Sequence, residues 1–514
     1  MVLVVAAGVA SAIYLPRASG LVRARLVAQL ASDLESDVEL DSLRVSFRPT
    51  PRVTLQGLVV RFRGRRDVPP LLQVRSLTAS LSLSGWRAHR LDRVVVEGLR
   101  AFIPARESGM ARQAPAYGSP PPAPQASASR PGSTREWTID QLVASDAILS
   151  LGVREAGIPP REFSIHRLVM STVGVDRAMA FQATLTNPRP AGEIDTSGTF
   201  GPWNRDVPSA TPLGARYTFS HADLATFKGV GGLLASEGTF GGVLERIEAT
   251  GSTTTPDFRL SISGNPVPLT TRFAAVIDGT TGNTVLTRVD AMLGQSPMVV
   301  SGSVIGSPGV PGRTIAINAA ISKGRLEDVL RLAVKGEPPP LKGTIDVTTR
   351  ILLPPGERDI IDKLQLDGTF RIAAARFASL SIQSKLKDLS KRGRGRPEET
   401  GGPSVVSDLA GPFTLKHTVM TLPKLSFAIP GARILLSGSY DLRQERLDFL
   451  GTVRLQATVS QTVTGVKRYL LKPLDPLFRR DGAGTVLPIH IGGTRNDPAF
   501  AVQVKNALRR RDGK

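Results

Sequence analysis

Ile434-Leu-Leu-Ser-Gly-Ser-Tyr-Asp-Leu442 and, four residues later, Leu447-Asp-Phe-Leu-Gly-Thr-Val-Arg-Leu-Gln-Ala-Thr-Val459 decide the fold of this chain. In the first run Ile434, Leu436, Tyr440 and Leu442 keep a period of two, with Gly438 in phase. In the second, Leu447, Phe449, Val453, Leu455, Ala457 and Val459 do the same, with Gly451 in phase. Alternate residues of a β-strand point to opposite faces, so each run has one apolar and one polar face. Only Arg443 to Arg446 lie between them, which predicts an antiparallel hairpin. Leu425, Phe427 and Ile429 lead into the turn pair Pro430-Gly431 and predict a third strand on one side. The stretch from Leu487 to Phe500, then Val502 and Val504, extends the sheet on the other.

Working outward, strands begin near Val38. Val53 and Leu55 share a face, but beyond Gly57 the apolar set is Leu58, Val60 and Phe62, a one-residue phase slip that predicts a β-bulge. Leu77, Ala79, Leu81 and Leu83 alternate with Ser and Thr, and Val94, Val96 and Leu99 follow. Strands that are half serine and threonine have a wet face, so the sheet is not expected to be sandwiched between helices. A Gly-Thr or Gly-Ser pair recurs inside strand patterns at Gly198, Gly238, Gly302, Gly343, Gly368, Gly438, Gly451 and Gly493. The intervals are uneven, 40 residues from Gly198 to Gly238 and 25 from Gly343 to Gly368, which argues against a propeller or strict solenoid. Two readings stand: a marker of strand entries, or a long sheet kinked at each glycine.

Helical signals are sparse. Leu26, Leu30 and Leu34 give an amphipathic stripe between Leu21 and Leu34; Arg325–Leu332 and Phe377–Leu389 predict two short helices. Val459, Val463, Val466 and Leu470 have helical spacing, with Pro473 and Pro476 as breakers. Val2–Leu15 is apolar and uncharged but 14 residues long, short of the roughly 20 that a spanning helix needs. We read it as a membrane anchor whose first residues lie upstream; the alternative is a buried helix. Arg106–Arg135, rich in Pro, Ala, Ser and Gly, has too little apolar content to build a core and reads as a linker.

Composition narrows the function. Gly 50 and Pro 39 suit many short strands and turns. Lys+Arg 65 against Asp+Glu 44 leaves a net charge of +21. Apart from Lys391–Arg396 and Arg509–Arg511 the cations are scattered, and no aromatic-rich motif accompanies them, so an anionic membrane surface is expected rather than nucleic acid. The chain has no cysteine, which excludes disulfides, thiolate metal sites and cysteine nucleophiles. The five histidines, His89, His166, His221, His417 and His490, are isolated. No metalloprotease, serine-hydrolase or phosphate-loop motif is present. We therefore expect neither an enzyme nor a metal or cofactor.

The run Phe427-Ala-Ile-Pro-Gly-Ala-Arg-Ile-Leu-Leu-Ser-Gly-Ser-Tyr-Asp-Leu442, then Leu447-Asp-Phe-Leu-Gly-Thr452, resembles the C-terminal region of the AsmA-like family. So do the closing Leu487-Pro-Ile-His-Ile-Gly-Gly-Thr-Arg-Asn-Asp-Pro-Ala-Phe500, the stretch Phe377–Ser390 and, near the N-terminus, Val45–Ile103. The resemblance implies a bacterial protein anchored in the inner membrane and facing the periplasm. It further implies kinship with bridge-like lipid-transfer proteins, phospholipid movement between inner and outer membranes, and a role in envelope integrity.

The fold expected is thus mostly β. It is a long, twisted and curled antiparallel sheet forming a β-groove, with an N-terminal membrane helix and a few short amphipathic helices. The segments are an anchor at 1–16, a helix plus β region at 17–105, the linker at 106–136, β regions at 137–335 and 336–505, and a basic tail at 506–514. A sheet with one greasy face and few helices must hide that face, and a trough lined by it offers acyl chains an apolar path. The expected lining is Phe427, Ile434, Leu436, Tyr440, Phe449, Val453 and Leu455; ordinary core packing is the alternative for the same residues. The alternative function is an envelope assembly factor that engages outer-membrane proteins through sheet edges. A third reading is a scaffold whose trough is filled by its own side chains.

Overall fold

A computed structural model describes residues 23–502 apart from 104–137 and shorter stretches, the longest being 32–35, 47–50, 63–68, 152–160, 205–209, 401–404 and 479–483. The expected anchor, the linker, Val504 and the basic tail lie outside the described residues. Among the described residues no helix is long and apolar enough to cross a membrane.

The described chain is mostly β. In order, the strands are β1 (Ser36–Glu39), β2 (Ser42–Ser46), β3 (Arg52–Phe62), β4 (Leu72–Ser80), β5 (Arg90–Glu97), β6 (Arg100–Ile103), β7 (Thr138–Leu151), β8 (Arg161–Val173), β9 (Met179–Pro188), β10 (Ala191–Phe200), β11 (Pro212–Asp223), β12 (Val230–Gly231) and β13 (Leu233–Val243). They continue as β14 (Arg246–Leu260), β15 (Val267–Ile277), β16 (Thr284–Leu293), β17 (Ser296–Gly306), β18 (Arg313–Arg325), β19 (Leu341–Leu353), β20 (Gln365–Phe377), β21 (Ser407–Lys416), β22 (Val419–Ile429), β23 (Ala432–Asp441), β24 (Arg446–Leu455), β25 (Thr485–Gly493) and β26 (Pro498–Val502). The short helices are α1 (Leu326–Ala333), α2 (Ile360–Lys363), α3 (Leu380–Gly393), α4 (Val466–Leu471) and α5 (Asp475–Phe478). Two compact units result. The first comprises Met1–Ala222, Ala235–Gly251 and Val276–Gly282; the second comprises Asp223–Leu234, Ser252–Ala275 and Asn283–Lys514.

The first unit is a mixed sheet, which corrects the all-antiparallel expectation. β5 and β6 both lie beside β7 and parallel to it, from Arg90↔Thr138 to Glu97↔Ser145 and from Arg100↔Ile148 to Ile103↔Leu151. Parallel neighbours need a long connection rather than a tight turn, and residues 104–137 supply it. The Pro-rich stretch therefore joins adjacent strands of one compact unit instead of separating two.

The slip at Gly57 is also not a one-strand bulge. Leu55 and Leu58 are both buried, as the sequence requires, and Gly57 has φ +65°. But β4 changes face at the same level, with Val74 and Leu77 both buried. The pairs Leu55↔Leu77 and Leu58↔Val74 stay in step because the strands swap faces together. Leu26 and Leu30, on helical residues between Arg23 and Ala31, pack into this core.

The second unit carries an antiparallel ladder from β16 to β26 in sequence order. The hairpin β23–β24 forms with the expected phase, Ile434 opposite Val453. Beyond Leu455 the alternation no longer means strand. Val459–Thr462 is a 3-10 turn, and the expected helix from Val459 is broken at Gly465, whose φ of +64° interrupts it just before α4. Pro473 and Pro476 sit in the first turns of the following short helices, where a missing N–H costs nothing.

Asp475 ties this helical segment together, accepting from the Ser460 amide at 2.8 Å and the Ser460 hydroxyl at 2.7 Å. Burial pushes its carboxyl up, but the Ser460 bonds, the Thr458 hydroxyl and Lys472 outweigh that and hold it below the usual carboxylate value. A depressed folded pKa gives stability that is present above the unfolded value of about 3.9 and is lost as pH falls through the folded one. Amide exchange across 458–475 is expected to accelerate in that acid window. Asp475→Asn should bring the acceleration to neutral pH, at a loss of about 1.5 kcal/mol.

Inside the strands, the recurring glycines share one geometry. A Cβ on Gly302 would lie 2.8 Å from the Ile317 Cα of the neighbouring strand, one on Gly368 2.9 Å from Thr349 Cα, and one on Gly438 2.6 Å from Phe449 Cα. Gly198 and Gly238 of the first unit repeat it, at 2.5 Å from Ala215 Cα and 2.8 Å from Gly251 Cα. Real Cβ atoms do not come so close, so each glycine marks a place where its apolar side turns onto the adjacent backbone. At these positions the neighbouring backbone comes too close for any side chain. Gly343 belongs to a register shift, and Gly493, with φ +86°, closes β25 in a turn.

Candidate apolar groove

Cross-strand partners in an antiparallel pair lie on the same face. Phe427↔Ile434↔Val453, Leu425↔Leu436↔Gly451, Gly438↔Phe449, Met420↔Tyr440↔Leu447 and Ala432↔Leu455 therefore place all seven expected lining residues on one face of the second unit.

Their exposure divides them. Phe427, Ile434, Leu436, Phe449, Val453 and Leu455 are buried, at 4–9% exposure, in one cluster with Phe413 and Ile429. Leu386 and Leu389 of α3 and Phe377 at the end of β20 pack onto that cluster, Phe377 edge-on to Phe427 with ring centroids 6.4 Å apart. α3 is held there by the Ser390 hydroxyl donating to the Pro430 carbonyl at 2.7 Å and by Gln383 donating to the Val405 carbonyl at 2.7 Å. α1 covers the same end of β18 and β19, with Leu326 against Ile321 and Ile345. At this end the face is core, filled by the protein's own side chains.

Beyond the glycines, toward the other ends of the strands, the face is less buried, although Leu366, Met420, Tyr440 and Leu447 still touch the same cluster and Asp362 of α2 pairs with Arg443 at this end. The register runs Ile317↔Ile351↔Leu366↔Leu415↔Met420↔Tyr440↔Leu447, one apolar residue on each of seven consecutive strands. Leu415 is buried; the other six are only half-buried. Six strand spacings of roughly 4.8 Å make the row about 29 Å long, perpendicular to the strands. Burial, and then the Glu445 carboxylate, push the Tyr440 phenol above its ordinary value, so at neutral pH it contributes an uncharged ring.

Of the seven expected residues only Tyr440 lies in this open row. Ile317, Ile351, Leu366, Leu415, Met420 and Leu447 were missed. Each carries the alternation signal, but only the register shows that they line up.

The other features of this unit offer no competing chemistry. A depression of about 590 Å³ is lined by Ser and Thr and by apolar side chains that include Met292, Met298 and Val299, with Arg272 and Asp290 as its charged members. His490 reaches Asp448 at 2.9 Å, and no three His, Asp or Glu side chains converge as a metal site among the described residues. Comparison with known protein families, with curated proteins and with solved structures finds no match.

Proposed function

We propose that the second unit holds phospholipid acyl chains along the row from Ile317 to Leu447. The continuous apolar row, partly exposed at six of its seven positions, carries the reading. Its length of about 29 Å exceeds the roughly 15 Å of one leaflet's hydrocarbon, so a chain fits within it and has equivalent positions to move between. Each CH2 buried gains about 0.8 kcal/mol wherever along the row it sits, so sliding costs little. The resemblance of the 377–500 region to AsmA-like proteins supports the same reading. On it the protein is anchored in the inner membrane, faces the periplasm, and carries or shields phospholipid between the two membranes to maintain the envelope. No residue acts chemically.

The test is native mass spectrometry with lipid extraction on protein purified from cells. Stoichiometric phospholipid is expected from the wild type. Ile351→Glu combined with Met420→Glu should lower it about tenfold, with the thermal transition retained, because a charge in the row costs more than several methylenes return. Lipid-free, stable wild-type protein, or a double variant that keeps its lipid, sinks the proposal.

A second reading rests on β26. Among the described residues this strand pairs on one side only, with β25, and its Phe500 and Val502 are 57% and 52% exposed on the apolar face. An unpaired edge of this kind suits capture of an outer-membrane protein strand by β-augmentation. Copurified unfolded barrel proteins, without lipid, would favour it.

A further inference from the structure

On the six-residue helix α4, Tyr469 is 75% exposed and the adjacent Leu470 71% exposed. Adjacent large side chains so fully in water are unusual in a folded domain, and these stand among cations. Lys467, Arg468 and Lys472 are all exposed. The 3-10 turn before α4 is joined to the basic end of α3, where Arg392 donates to the Thr462 carbonyl at 3.4 Å and the Gly395 backbone abuts Gln461. Arg394 and Arg396 follow, both exposed. At the same ends of β23 and β24, Arg433 and Arg454 are exposed and directly opposite one another, a like-charge pairing that weakens a sheet unless an anion compensates it. The carboxylates of this region do little to cancel the charge. Glu399 is paired with Arg394 at 3.1 Å and Asp475 is occupied by Ser460, which leaves the exposed Asp388 and Glu398 against the exposed Arg392, Arg394, Arg396, Arg433, Arg454, Lys467, Arg468 and Lys472.

We infer that α4 docks this unit onto an anionic phospholipid bilayer. Tyr469 and Leu470 enter the boundary between headgroups and acyl chains, where an amphipathic ring is favoured. Lys467, Arg468 and Lys472, with the arginines at the end of α3, meet the lipid phosphates. The charge decides in favour of a membrane over a second copy of this chain: a self-contact would set Lys467, Arg468 and Lys472 against their equals. The inference does not depend on the groove being filled, since docking uses a different surface from the Ile317–Leu447 row.

The absence of cysteine makes the test direct, because Leu470→Cys carries the only thiol of the full chain. An environment-sensitive fluorophore on that thiol reports insertion at α4 itself, whatever other segments bind. With vesicles containing about 30% phosphatidylglycerol, a blue shift is expected at lipid concentrations about tenfold lower than with pure phosphatidylcholine. The preference should vanish at about 0.5 M salt, and with Lys467→Glu plus Arg468→Glu in the labelled protein. Three results overturn the proposal: no shift with anionic vesicles, an equal shift with both lipids, or a shift that follows protein concentration without vesicles. Lipid extraction from the same charge-reversed variant separates this failure from that of the groove, because the row is untouched.

Discussion

Gly451→Ala will cost the second unit a large part of its stability. The added methyl would overlap the Leu435 carbonyl oxygen and stand 2.9 Å from both its carbonyl carbon and Leu436 Cδ2. A flexible side chain tip can move aside; a carbonyl held in the β23–β24 ladder cannot without giving up its register. Ordinary overpacking costs about 1–3 kcal/mol because neighbouring side chains adjust. With backbone as the obstacle the loss should exceed about 3 kcal/mol, a large part of a typical domain's margin. Gly438→Ala should behave alike, since its methyl would lie 2.6 Å from Phe449 Cα. Gly306→Ala is the matched control: its nearest neighbour, Asn283 Oδ1, is 3.8 Å away. Urea unfolding of the three variants checks this. If all three unfold with the same midpoint, the backbone at Gly438 and Gly451 is not as crowded as the structure has it.

The second large effect separates the closed end of the apolar face from the open end. Phe427→Ala removes a ring that is buried under Phe377 and α3, and should destabilise by about 3–5 kcal/mol. Met420→Ala, at the edge of the same cluster and partly exposed, should cost less than about 2 kcal/mol because fewer contacts are lost and water can fill the space. The two residues lie on the same strand and the same face, so equal losses would mean that α3 does not close one end. In lipid binding the order reverses: Met420→Glu touches the row, whereas Phe427 lies under the protein's own cover.

Much of this was legible beforehand because the relevant physics is local. Period-two alternation assigned Ile434, Leu436, Phe449 and Val453 to one face, and they share it. The glycines in phase with those residues announced a close approach of neighbouring backbone, since a side-chain-free position inside an apolar face needs a steric reason. Gly411 escaped notice because Pro412, not Ser or Thr, follows it, although its Cβ too would crowd the neighbouring strand at Leu425 Cα, 3.3 Å away. The hairpin at 443–446 and the turn at Pro430-Gly431 were readable because their partners are adjacent in sequence.

What the sequence by itself determined, then, is the β character, which face of each strand is apolar, and where no side chain fits between strands. Only the tertiary structure decided the rest. The parallel pairing of β5 and β6 with β7 joins segments on either side of residues 104–137, and no local pattern encodes a contact across such a gap. The switch of faces at Gly57 proved to be shared by β4, which one strand's periodicity does not show. Alternation identifies an apolar face but not what covers it: α3 and α1 bury one end, while register lines up Ile317 to Leu447 on the other. Burial and alignment belong to several strands at once, so they exist only when the strands are brought together.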